Sequence, residues 1–86
     1  MSDSLLEFPC EFPLKAMGIA GDDFDELVVA IVRNHVGDLR EGAIRAKKSR
    51  SGKYVSITVT MQICSQEQLD SIYMDLSSDD RVLMLL

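Results

Sequence analysis

Chemistry, if this chain performs any, must come from few side chains. Asp22, Asp23, Asp25 and Glu26 crowd into one short stretch, and Asp79 and Asp80 are adjacent. Paired carboxylates can divide acid and base roles when a cleft separates their pKa values. At the start of a helix the same cluster has a simpler use, capping free N–H groups and meeting the positive end of the helix dipole. His35 is the only imidazole and the other candidate base. It stands at a predicted helix end, where its protonated form is favoured. Cys10 and Cys64 lie 54 positions apart, and neither belongs to a CxxC pair. One His and two separated Cys cannot furnish a zinc site from one chain. They read as reduced thiols of a cytosolic protein. No catalytic residue, cofactor or metal is expected, and the chain is read as a non-enzyme.

The cations are more informative. Residues 45–53 carry Arg45, Lys47, Lys48, Arg50 and Lys53 with no acidic neighbour, a net of +5, in a chain whose net charge is −5. Residues 1–44 sum to −6 and residues 54–86 to −4. Such a cluster can grip phosphate or an acidic protein, or simply guard a sheet edge against aggregation. A pI near 4.6 argues against general nucleic-acid binding.

These residues need elements to hold them. Phe12, Leu14 and Ala16 alternate with Pro13, Lys15 and Met17 as in a strand. Gly18-Ile19-Ala20-Gly21 reads as a turn, and Asp22 or Asp23 as the cap of a helix over residues 23–35. Phe24, Leu27, Val28, Ile31 and His35 mark its apolar stripe, and Gly37 its stop. Ile44–Ser49 and Tyr54–Ile63 form a predicted hairpin through a two-residue turn at Ser51-Gly52. In that register Ala46 faces Ile57 and Ile44 faces Val59 on a buried side. Arg45 faces Thr58 and Lys47 faces Ser56 on a solvated one. Ser65 to Gln68 reads as a capping box for a second helix bearing Leu69, Ile72, Tyr73 and Leu76. Residues 81–86 form a last strand, apolar on both faces.

The expected domain is therefore α+β, a ferredoxin-like βαββαβ open-faced sandwich over residues 12–86, behind an N-terminal arm of residues 1–11. Its four-stranded antiparallel sheet carries two helices on one face. The other face would present Lys15, Met17, Arg45, Lys47, Ser56, Thr58 and Thr60. Base-stacking aromatics are missing from its centre, so sequence-specific RNA readout is not expected. The opening residues lack the basic start and apolar run of a secretory signal. The longest apolar run, Leu27 to Val32, is far short of the roughly twenty residues of a membrane span. A cytoplasmic protein without membrane contact is expected.

Glu7-Phe8-Pro9, Phe12 and Lys15-Ala16-Met17-Gly18 resemble the opening of the YbeD-like family of small bacterial proteins. The hairpin Ser51-Gly52-Lys53-Tyr54-Val55-Ser56-Ile57-Thr58-Val59 is similar to that family's, and so is the ending Asp80 to Leu86. The resemblance implies a ferredoxin-like fold related to ACT regulatory domains, which bind amino acids at dimer interfaces, and it implies no known activity. ACT domains usually place an Asp and then Pro-Gly before the first helix. The loop here reads Gly18-Ile19-Ala20-Gly21-Asp22, which argues against amino-acid binding in their manner.

The sequence thus suggests a regulatory or adaptor module, a candidate homodimer, that takes a protein partner or small anionic metabolite. Its candidate binding residues are Lys15, Gly18, Gly21, Arg45, Lys47, Lys48, Arg50, Lys53, Ser56 and Thr58. The alternative is weak nucleic-acid binding through the hairpin.

Overall fold

The computed structural model describes residues 7–21 and 23–86. Asp22, one of the two expected caps, and residues 1–6 of the arm lie outside them. The elements are β1 (Cys10–Ile19), α1 (Phe24–Val36), β2 (Ile44–Lys48), β3 (Tyr54–Ile63), α2 (Gln66–Ser77) and β4 (Val82–Leu85). The strands form one antiparallel sheet in the order β2-β3-β1-β4. This is the expected βαββαβ sandwich, with the two best-patterned strands in the centre. Among the described residues, no helix is long and apolar enough to cross a membrane.

β3 shows why the order forms. Val55, Ile57, Val59, Met61 and Ile63 all point to one side and are buried. Leu14 and Ala16 of β1 join them, fully buried. Phe24, Val28 and Val32 of α1 and Leu69, Ile72 and Leu76 of α2 close the core from above. Burying one such side chain contributes roughly 1.5–3 kcal/mol, so the two stripes fix which helix faces turn inward.

β1 is longer than expected at both ends. It starts inside the predicted arm, and Gly18 and Ile19 belong to it rather than to the turn. Pro13 sits well inside the strand, opposite Thr60. Lys15 exchanges backbone hydrogen bonds with Leu86 on the β4 side, at 3.1 and 2.8 Å. Antiparallel alternation turns Pro13's nitrogen to the same side, beyond the end of β4. A missing N–H there leaves no ladder bond unmade.

Three further details differ from the sequence reading. Asp23 occupies the N-cap of α1, yet its carboxylate makes no cap bond. It accepts two hydrogen bonds from the Arg81 guanidinium instead, at 2.6 and 3.3 Å. Ser65 does cap α2, accepting from the Gln68 N–H at 3.1 Å. Gln68 reaches back past Ser65, its Oε1 accepting from the Cys64 N–H at 2.7 Å and its Nε2 donating to the His35 carbonyl at 3.0 Å. The β2–β3 register is the expected one. The turn is wider, because Ser49 and Tyr54 still pair and Gly52 donates to the Ser49 carbonyl at 2.9 Å. Gly52 adopts φ 78°, a left-handed conformation that suits glycine.

Candidate functional site

The helix-free face of the sheet gathers five of the ten candidate residues. Arg45 lies opposite Thr58, and Thr58 opposite Lys15. One row along, Lys47 lies opposite Ser56, and Ser56 opposite Met17. Strands stand about 4.8 Å apart, so Arg45 and Lys15 bracket the Thr58 hydroxyl across about 10 Å. The Ser56 hydroxyl donates to the Lys47 carbonyl at 3.4 Å, a long hydrogen bond. The third row pairs Tyr54 with Ile19. The Lys53 ammonium stands 5.6 Å from the Tyr54 ring centroid, within cation–π range. Arg50 lies in the turn, and Lys48 ends β2.

The two glycines stand apart from this face. Gly18 is buried on the helix side, against the Phe24 ring and the Arg81 carbonyl. Gly21 is exposed between β1 and α1.

Charge pairing separates the cations into two groups. Arg33 pairs with Asp38 at 2.7 Å, Arg81 with Asp23 at 2.6 Å, and Arg40 with Glu11. Among the described residues, Lys15, Arg45, Lys47, Lys48, Arg50 and Lys53 have no carboxylate partner within 4.0 Å. All six belong to β1, β2 or the β2–β3 turn. The sequence shows the clustering of the five in residues 45–53; it does not show that Lys15 joins them or that Arg33, Arg40 and Arg81 are each committed to a carboxylate.

The Arg81 pair has an electrostatic signature. Its hydrogen bond and charge hold the Asp23 carboxyl below its ordinary 3.8, and the Asp23 hydrogen bond raises the Arg81 guanidinium above its already high ordinary value. Both groups are exposed, so the pair positions β4 against α1 more than it stabilises the chain. His35 Nε2 lies 2.6 Å from Asp75 Oδ2, which joins α1 to α2. Cys10 is half-buried, Cys64 is exposed, and both are free thiols. Among the described residues, no three His, Cys, Asp or Glu side chains gather to hold a metal.

The model for the family described as "Protein of unknown function (DUF493)" matches residues 3–86. The chain belongs to this family. A UPF0250 protein of Chromobacterium violaceum is 42% identical over 89 residues, covering 100% of both chains. The UPF0250 protein NE1487 of Nitrosomonas europaea is 40% identical, covering 98% of this chain and 97% of its own. A third UPF0250 protein, from Hahella chejuensis, is 42% identical over 94% of this chain and 89% of that relative. The solution structure of protein HP0495 from H. pylori superposes with a TM-score of 0.72 at 15% identity, covering 98% of this chain and 88% of that one. That likeness concerns the fold. The DUF493 membership agrees with the resemblance to small bacterial proteins of unknown function, and it assigns no activity to the cationic face.

Proposed function

We propose that this DUF493 domain is a non-catalytic adaptor of the bacterial cytoplasm, which docks an acidic protein surface on its open sheet face and basic hairpin. The observation that carries the reading is the set of six cations without carboxylate partners among the described residues, in a protein of net charge −5 whose three other basic residues besides His35 are paired. Unpaired cations gathered along the open face and its hairpin raise the local concentration of anions and speed encounter with a complementary surface. The shape supports a macromolecule over a small metabolite. The depression beside Met17, Lys47, Tyr54 and Ser56 holds about 110 Å³, against roughly 300 Å³ or more for sites that bury a small molecule.

The test uses two labelled probes, an oligoglutamate peptide and a single-stranded oligonucleotide, in anisotropy titrations at several salt concentrations. The adaptor reading expects peptide binding that weakens with salt. It expects loss of that binding when Arg45, Lys47, Arg50 and Lys53 are all changed to Glu, with the far-UV spectrum and melting temperature retained. Tighter oligonucleotide binding, with a log–log salt slope near −0.7 per phosphate contact, transfers the surface to nucleic acid. No binding of either probe at low salt reduces the hairpin to a charged edge.

A further inference from the structure

The two edges of the sheet are unlike. β2 carries Arg45, Lys47 and Lys48, and all five of its residues stand exposed. Charges of that kind on an edge discourage a further strand. β4 forms the other edge and carries none over Val82–Leu85. Leu83 is 55% exposed, Met84 53%, Leu86 60%, and nearby Ile19 58%. Lys15 and Leu86 exchange both backbone bonds, so alternation turns the Leu85 N–H and C=O away from β1, toward the free edge. Hollows of about 190 and 340 Å³ adjoin this strand, the first beside Ile19, Arg81 and Leu83, the second beside Ser77 and Met84. Open backbone groups between exposed apolar side chains make a template for strand addition.

We propose that β4 pairs with the β4 of a second copy of this chain, antiparallel about a two-fold axis at Met84. Charge selects that occupant. Self-pairing sets uncharged strand against uncharged strand. It also places the two basic hairpins at the far ends of an eight-stranded sheet, seven strand spacings or about 33 Å apart, beyond several Debye lengths. Pairing through β2 would instead press Arg45, Lys47 and Lys48 against their own copies. Register follows from the two-fold axis, and Leu83 is the residue left without a β1 partner where the β1–β4 register shifts. The outward-turned Leu85 meets Leu83 of the partner subunit, and Met84 meets the partner's Met84 in a non-bonded pair with Cα atoms about 4.5 Å apart. Such an isologous contact closes on itself and leaves both cationic faces open. The proposal stands on the β4 edge alone and is independent of the acidic-partner reading.

Sedimentation equilibrium and cross-linking test it together. The wild-type chain is expected to dimerise at micromolar concentration. Met84→Lys puts two ammonium groups in opposition and is expected to raise the dimer dissociation constant at least about tenfold. In a background with Cys10 and Cys64 changed to Ser, Met84→Cys is expected to form a disulfide-linked dimer under mild oxidation, because the facing Cα atoms fall within disulfide reach. Lys47→Cys in the same background is expected to stay uncrosslinked. A wild type that remains monomeric at millimolar concentration overturns the proposal and leaves the edge to a strand from another protein. A dimer that tolerates Met84→Lys and does not cross-link through Met84→Cys overturns the choice of edge. The cysteine variant keeps a small neutral side chain, so the test survives if the lysine variant misfolds.

Discussion

One methyl group added at Gly18 is expected to be among the most damaging small changes in the chain. Gly18 lies on β1 opposite Val55 and Val82, where the β1–β4 register shifts. A Cβ atom there would stand 2.5 Å from Cε1 and 2.6 Å from Cζ of Phe24, and 2.6 Å from the Arg81 carbonyl oxygen. Carbon contacts settle at about 3.5–4.0 Å, so the shortfall is roughly 1 Å on two sides at once. Phe24 is 1% exposed and has nowhere to swing. The Arg81 carbonyl is backbone, and it follows a turn closed by the Val82 N–H donating to Asp79 at 3.0 Å. Overpacking commonly costs about 1–3 kcal/mol, and two simultaneous clashes place Gly18→Ala at the upper end, about 3 kcal/mol. For a domain of this size that lowers Tm by at least about 10 °C. Gly21→Ala is the control. Its nearest neighbours, Arg81 Nη2 and the Ile19 carbonyl, are 3.9 Å away, and its φ is not left-handed. It is expected to stay within about 0.5 kcal/mol of wild type or to gain slightly by restricting the unfolded chain. Urea unfolding followed by circular dichroism measures both. A Gly18→Ala variant as stable as wild type, or a Gly21→Ala variant equally damaged, would refute the close-approach argument.

Two more outcomes follow from named contacts. Arg81 holds the Asp23 carboxyl below 3.8, and a carboxyl lowered on folding stabilises the chain above its unfolded pKa and ceases to do so as pH falls through its folded one. The stability gap between wild type and Asp23→Asn is therefore expected to be full near neutral pH and to close as pH drops from 3.8 through the lower folded value; urea midpoints across acidic pH measure it, and a gap independent of pH would show that the ion pair is not its source. Gln68 serves two backbone groups and Ser65 one, so Gln68→Ala is expected to cost about 2 kcal/mol and Ser65→Ala about 1 kcal/mol; the reverse order in denaturation would mean that the link to His35 contributes little.

Periodicity made most of the fold legible. The alternation in Tyr54–Ile63 announced β3, its buried face and its register with β2, and the stripes of Phe24 and Leu69 announced both helices. Periodicity reports which way a side chain points and not whether anything lies above it. Ile44 and Ala46 point to the helix side as their pattern required, yet both are exposed, because α1 and α2 pack over the central strands and β4. The cap of α1 was legible as a position and not as a bond. Asp23 stands at the N-cap as expected, but Arg81, 58 positions later, takes its carboxylate, and no local window contains both. The length of β1 was hidden by Pro13, since only the end of β4 explains why the missing donor is harmless. At the candidate site, the basic run was visible in residues 45–53. That Lys15 joins it across Thr58 required the strand order. That the remaining arginines are engaged elsewhere required side-chain geometry.

The exposure of β2 separates recognition from folding. Its five side chains add nothing to the core, and the strand is fastened through its hydrogen-bond ladder to β3. Substitutions along Arg45, Lys47 and Lys48 can therefore redirect what the surface attracts with little effect on whether the chain folds. A strand with no buried side chain is the kind of segment that opens locally, and its release would uncover the outer backbone of β3 while leaving the core side chains of β1, β3 and both helices in place. The hairpin is thus an adjustable arm on a fixed body.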